Sequence, residues 1–236
     1  MAISFKNVAK AFGQKKVLDG VSFSVETGEV LFILGKSGMG KSVTLKTTIG
    51  LMKPDRGEIY VHGEAVHTAS EHTLAQVRKK CGMVFQHPAL LDSLTIFENV
   101  AFGLETKNRE RVIECLKLVH LDESILNRKP QEISYGMQKR VSLARTLAPG
   151  PQILLFDEPT TGLDPITTNA VNELIAELSD RLNVTSVVVS HDMGCALRIA
   201  DRILVLDQGN ILALDTVDRI KSSSEPLIQD FLREAL

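Results

Sequence analysis

Apolar residues in this chain come in short runs whose spacing changes twice. Ile3 to Val8 alternates apolar with polar positions, as a strand with one buried face does, and Val21 to Val25 reads as a second strand. Val30 to Leu34 is apolar without interruption, the pattern of a strand buried on both faces. A glycine-rich turn follows, then a helix over Lys41 to Ile49, stopped by Gly50 and kept from restarting by Pro54. From about Ser70 to Leu147 the spacing is helical, and Thr95 and Glu98 stand as a capping box ahead of Val100, Ala101 and Phe102. Strand patterns return at Ile153 to Phe156 and Thr185 to Val189. Between them lies a helix that starts with Asp164 as N-cap and Pro165 in its first turn. Ile203 to Leu206 and Ile211 to Leu214 flank the turn-rich residues 207–210 and predict a closing hairpin. Strand, helix, strand implies a parallel sheet. The expected class is therefore α/β: a largely parallel sheet, an antiparallel β-subdomain from the N-terminal strands, and a helical insert over about 90–147.

Composition narrows this further. A chain of 236 residues, 44% hydrophobic and 24% charged, suits one sizeable domain with its own core. A formal net charge of -2 supplies no basic field for nucleic acid, so no nucleic-acid partner is expected. Cys81, Cys115 and Cys195 lack metal-ligand spacing, and their isolation fits a reducing compartment, the cytoplasm. The N-terminus lacks the apolar core of a signal peptide, and no run reaches the roughly 18 apolar residues that span a bilayer. Any membrane association would be borrowed from another protein.

The candidate chemistry sits at the strand ends. Gly35, Lys36, Ser37, Gly38, Met39, Gly40, Lys41 and Ser42 fit the phosphate-binding loop, directly after a buried strand and opening a helix. Glycine amides and the helix N-terminus would surround the phosphates of ATP, Lys41 would reach the β and γ phosphates, and Ser42 would ligate Mg²⁺. Asp157 and Glu158 close a second buried strand, where consecutive side chains diverge. Asp157 would hold Mg²⁺ through water and Glu158 would polarise the attacking water. His191 follows a third strand, at the edge where open parallel sheets collect ligands. It is read as a γ-phosphate sensor, against the commoner solvated histidine. Gln86 ends the apolar segment Met83-Val84-Phe85, and its amide either reaches Mg²⁺ or the attacking water or simply faces solvent.

Ile133-Ser134-Tyr135-Gly136-Met137, followed by Gln138-Lys139-Arg140-Val141, resembles the signature of ABC ATPases, Leu-Ser-Gly-Gly-Gln. Ser134 can cap the helix that follows, turning its N-terminus toward an anion. The other landmarks of that family follow in order: Phe12, the phosphate loop, Gln86, the signature, Asp157 and Glu158, Thr161-Gly162-Leu163-Asp164 as the D-loop, and His191. The resemblance covers Ile3 to about Leu214. It implies a single ABC ATPase domain over 1–236 working as a homodimer, with Phe12 stacked on adenine and with Ser134 and Gly136 facing the γ-phosphate held by the opposite subunit. Tyr135 stands where the family has Gly, and Met137 where it has Gln.

Met137, Gly35-Lys36-Ser37-Gly38, the stretch Leu90 to Phe102 and the tail Glu225 to Leu232 are similar to the Mla/MCE-type lipid transport ATPases. That likeness implies an integral membrane permease partner, an MCE-domain lipid-binding protein, phospholipid cargo and a place on the inner face of the cell membrane. The docking surface expected for the permease is the groove beside Gln86 with Leu90, Leu91, Leu94 and Phe97. A generic solute importer or exporter ATPase would share every catalytic residue. ABC ATPases of DNA repair or translation generally need a coiled-coil insert or a second ATPase domain, and a phosphate-loop kinase would lack the signature and D-loop.

Overall fold

The computed structural model describes residues 1–235. In chain order they form β1 (Ile3–Phe12), β2 (Lys15–Val25), β3 (Val30–Leu34), α1 (Lys41–Thr48), β4 (Arg56–Val61), β5 (Glu64–Ala65), α2 (Glu71–Lys80) and β6 (Cys81–Val84). There follow α3 (Ile96–Ala101), α4 (Arg109–Leu118), α5 (Tyr135–Leu147), β7 (Ile153–Asp157), α6 (Pro165–Leu182) and β8 (Thr185–Val189). The chain continues through α7 (Met193–Ile199), β9 (Arg202–Asp207), β10 (Asn210–Thr216), α8 (Val217–Lys221) and α9 (Pro226–Ala235). One sheet is antiparallel, in the order β2-β1-β4-β5; the other has the order β10-β9-β3-β8-β7-β6 and is parallel apart from its β9–β10 hairpin.

Alternate side chains of the parallel strands enter two different cores, which is why these strands read as continuous apolar runs. Leu31, Ile33, Ile153, Leu155, Val187 and Val189 join Ile3, Phe5 and Leu45 beneath the antiparallel sheet and α1. Phe32, Leu34, Leu154, Phe156 and Val188 join Ile96, Val112, Leu116 and Val141 from α3, α4 and α5. The capping box of Thr95 and Glu98, the Ser134 cap and the Asp164 cap are all formed. At the β9–β10 turn Gln208 and Gly209 have φ of 46° and 81°, the positive pair that two-residue hairpins favour.

Two parts of the chain differ from the sequence expectation. β1 extends to Phe12 and β2 begins at Lys15, so the pair is a long hairpin with Phe12 opposite Lys15 at its tip. Ser70 to Leu147 is not uniformly helical, because β6 interrupts it and α2 packs through Leu74 and Val77 on the β-rich side. β6 has four residues and follows α2 without a turn residue, leaving no alternation long enough to read. β4 likewise offers only Ile59 and Val61 as buried positions.

The parallel register places the C-terminal ends of β3, β6, β7 and β8 along one edge. Residues 35, 86, 158 and 191, far apart in sequence, are gathered there by topology alone. Among the described residues no helix is long and apolar enough to cross a membrane.

Candidate active site

Beyond β3 the chain turns through residues 35–40 into α1. Gly40 has φ of 102°, and a Cβ there would lie 2.5 Å from the Val17 carbonyl oxygen, so the turn admits only glycine. No side chain caps α1, which leaves its first amides free to meet an anion. The Lys41 side chain is buried; its ammonium donates to the carbonyls of Gly35 (2.6 Å) and Lys36 (3.3 Å) and lies 3.4 Å from Glu158 Oε1. The Ser42 hydroxyl donates to Asp157 Oδ1 at 2.6 Å.

Asp157 is the last residue of β7, whereas Glu158 takes the left-handed conformation with φ of 49° while its amide donates to the Val189 carbonyl. The amide's bond to Val189 on the neighbouring strand holds the residue in that sparsely populated region. This backbone turn, more than strand alternation, separates the two carboxylates: Asp157 reaches toward Ser42 and Glu158 toward Lys41 and His191. His191 Nδ1 lies 2.7 Å from Glu158 Oε2.

Lys41, Ser42, Glu158 and His191 border a cleft of about 570 Å³ that also takes in Phe12, Lys15, Ser37, Gly38, Gln86 and Thr161, with Asp157 behind Ser42. Phe12, 49% exposed at the hairpin tip, offers a flat ring at one end of the cleft. Gln86, exposed just beyond β6, offers an amide at the rim. Lys36 is exposed on the loop, and Met39 Sδ accepts from the Gln208 amide at 3.3 Å. An apolar ring at one end, with an ammonium, a helix N-terminus and carboxylates beyond it, suits a nucleoside triphosphate.

The signature does not line this cleft. Ser134, Tyr135, Gly136 and Met137 border a separate hollow of about 290 Å³ with Gly162, Leu163, Asp164 and Thr167. Ser134 Oγ accepts from the Met137 amide at 3.3 Å, capping α5. At Gly136 a Cβ would come within 2.9 Å of Thr167 Cγ2, which explains why glycine is kept there. Tyr135 instead turns outward, its hydroxyl 3.2 Å from His87 Nδ1. Met137 packs against the helical core, so its thioether fills space where an amide would need a partner. Asp164 caps α6, accepting from the Thr167 hydroxyl and amide and from the Ile166 amide, and these bonds hold its carboxyl below the usual range.

Some participants were not singled out from sequence. Lys15 lines the cleft because the hairpin carries it there. Lys139 is buried inside α5 and donates to the carbonyls of Gln86 and Pro159. Asn99 is fully buried, with its amide bonded to Leu91 and to the carbonyls of Leu94 and Thr95. A polar residue inside the apolar turn Ile96 to Phe102 was the available signal for it. The expected docking surface also changes: Leu90 and Phe97 pack on the core and Leu94 is half-buried, while Phe85, Leu91 and Phe102 are exposed.

A phosphate loop on a parallel sheet, with carboxylates on the neighbouring strand, defines the phosphate-loop class of nucleotide hydrolases. The family model described as ABC transporter matches residues 18–161, and the chain belongs to that family as its ATP-binding, ATP-hydrolysing subunit. It is 38% identical to a methionine import ATP-binding protein of Carboxydothermus hydrogenoformans over 99% of this chain and 72% of that protein. It is 39% identical to a sulfate/thiosulfate import ATP-binding protein of a Synechocystis species, over 99% of this chain and 66% of that protein. A dimeric ATP-binding cassette in a post-hydrolysis state, bound to ADP and Pi, superimposes with a TM-score of 0.82 at 35% identity, covering 91% of this chain and 98% of that one. The chain thus spans about two thirds of the length of these importer subunits, and neither of their names points to lipid.

Proposed function

We propose that two copies of this chain close head to tail around two ATP molecules and drive a membrane permease with the energy of closure and hydrolysis. The observation behind this reading is the separation of the signature hollow from the phosphate-loop cleft within one chain. Ser134 and Gly136 then serve the site of the other copy. In each site Phe12 stacks on adenine, residues 35–42 wrap the phosphates and Lys41 neutralises them. Glu158 orients and deprotonates the attacking water, while His191 steadies Glu158 and meets the γ-phosphate.

The paired hydroxyl and carboxylate of Ser42 and Asp157, with the Gln86 amide nearby, are hard oxygen donors suited to Mg²⁺. When bound, that ion neutralises charge on the phosphate oxygens. The helices within about 90–147 act as the subdomain that carries the signature and meets the permease at the inner face of the membrane.

Mixed chains test the two-copy site. Lys41→Ala and Ser134→Arg proteins should each be nearly inactive alone, yet a mixture contains one site with an intact loop and an intact signature. Recovered ATPase activity on mixing supports the composite site; none, with dimers present, refutes it.

For cargo, we infer a phospholipid or another lipid, moved with an MCE-type permease and its lipid-binding protein. Met137 and the stretch Leu90 to Phe102 support this inference. The importer relatives favour a second reading, a small polar solute such as an amino acid or an inorganic anion. Reconstituting the complex that copurifies with the chain, and assaying labelled phospholipid against labelled methionine and sulfate, separates the two.

A further inference from the structure

Position 135 departs from the family signature, and the structure surrounds its ring with partners. The hydroxyl meets His87 Nδ1 at 3.2 Å. The ring edge lies beside Gly162, where a Cβ would fall 3.6 Å from Tyr135 Cε1. Lys139, one turn further along α5, places Nζ 5.6 Å from the ring centroid. That lysine is only 3% exposed, and burial lowers its pKa to about 8. A buried ammonium requires hydrogen-bond acceptors, and here they are the carbonyls of Gln86 and Pro159. The first turns of α5 therefore grip the loop after β6 at two successive residues: Lys139 holds Gln86 by its backbone, and Tyr135 holds His87 by its side chain.

We propose that Tyr135 and His87 form a latch that sets the signature turn against the loop carrying Gln86, so that a displacement of this loop moves Ser134 and Gly136. The inference rests on the two-copy reading above, in which those two residues complete the ATP site of the other chain. Both latch residues are positioning residues. Their bond joins two surface segments that backbone pairing does not connect, and it gives a function to a bulky ring where glycine would make no such contact. Gly136 could not carry the ring, because Thr167 fills its space. Position 135 can, because it opens toward the loop.

A double-mutant cycle on ATP hydrolysis tests the latch. Tyr135→Phe removes only the hydroxyl, and His87→Ala removes its partner. Each should lower kcat about three- to tenfold, and the double variant should fall no further than the worse single one. His87→Asn, whose amide can stand in the place of Nδ1, should recover activity to within about twofold of wild type. Equilibrium affinity for ATP should stay within about twofold in every variant, because Phe12 and residues 35–42 are untouched. Losses that multiply in the double variant, an unchanged kcat for Tyr135→Phe, or failure of Asn to restore activity would overturn the latch. If mixed-chain complementation fails, the two-copy reading falls regardless of the cycle; if complementation succeeds while the losses multiply, the latch alone falls.

Discussion

Glu158 Oε2 and His191 Nδ1 lie 2.7 Å apart, and Glu158 Oε1 lies 3.4 Å from the Lys41 ammonium, so one carboxylate just beyond β7 joins the start of α1 to the segment after β8. A carboxylate held by two partners is aimed, and general-base catalysis depends on that aim as much as on basicity. Glu158→Gln keeps the shape and loses the base. Its ATP turnover should fall by about a hundredfold or more while the protein still binds ATP and collects as an ATP-bound dimer. His191→Ala leaves the base present but unsteadied and should lose less than Glu158→Gln does. Single-turnover hydrolysis and gel filtration with ATP measure both effects, and wild-type turnover in Glu158→Gln would remove the assignment.

Lys41 affects binding before chemistry. Its ammonium is buried against the carbonyls of Gly35 and Lys36, so it is already dehydrated and fixed near the phosphate path. Lys41→Ala should weaken ATP binding at least about tenfold by equilibrium titration, since charge-assisted bonds to phosphate contribute roughly 1.5–3 kcal/mol each. Lys41→Arg should not rescue it: the wider guanidinium must fit where the Lys41 ammonium is already enclosed by the carbonyls of Gly35 and Lys36 and by Glu158. Unchanged affinity in Lys41→Ala would mean that the phosphates lie elsewhere.

Most of this site was legible in sequence because its parts are local. The phosphate loop, the Ser134 and Asp164 caps and the box at Thr95 and Glu98 are short-range patterns, and each forms as its spacing implies. Less legible were features made by contacts between distant segments. β6 is four residues without alternation, and it becomes a strand because β7 lies beside it. The burial of Lys139 depends on carbonyls 53 and 20 residues away. Leu90, Leu91, Leu94 and Phe97 look alike in sequence, yet only packing decides that Leu91 faces solvent while Leu90 and Phe97 turn inward. Nothing at position 135 points in sequence to His87, 48 residues away, which the fold sets opposite its hydroxyl.

The three cysteines should be chemically quiet in the folded protein. Burial raises the thiol of Cys81 to about 12, Cys115 to about 11 and Cys195 to about 12, from an ordinary value of 9.0. All three therefore stay protonated at neutral pH, and a maleimide reagent at pH 7.5 should label the native chain far more slowly than the unfolded one. The folded state holds these protons more tightly, so their contribution is fully present below about pH 9 and is lost as pH rises toward 11–12. Thermal melting should accordingly drop across that alkaline window, and to a smaller extent in a Cys195→Ala variant. Cys81 is half-buried and should react first of the three; rapid stoichiometric labelling of Cys115 or Cys195 in the native protein would contradict the burial of those two thiols.

Leu91 is 39% exposed because its backbone is held from behind. The buried Asn99 side chain accepts from the Leu91 amide and donates to the Leu91, Leu94 and Thr95 carbonyls, fixing the loop with the Leu91 side chain outward. Phe85 and Phe102, the latter 66% exposed, are the other large apolar side chains left open in this part of the chain. Exposed apolar groups beside a catalytic loop suit a permease segment that must both dock and transmit movement. Leu91→Asp should cost no more than about 1–2 kcal/mol, because a side chain 39% exposed loses only part of the packing of a core leucine. ATP binding should be retained, while recovery of the chain with solubilised membrane proteins should fall sharply and coupled transport with it. Asn99→Ala should cost more stability, about 2–4 kcal/mol as several backbone groups lose their partner, and it should weaken docking by loosening the loop without changing its surface. If Leu91→Asp and Phe102→Asp both still copurify with the permease and sustain transport, the partner binds on another face. The Asn99→Ala result would then concern folding alone, since the loop it steadies would no longer be the contact.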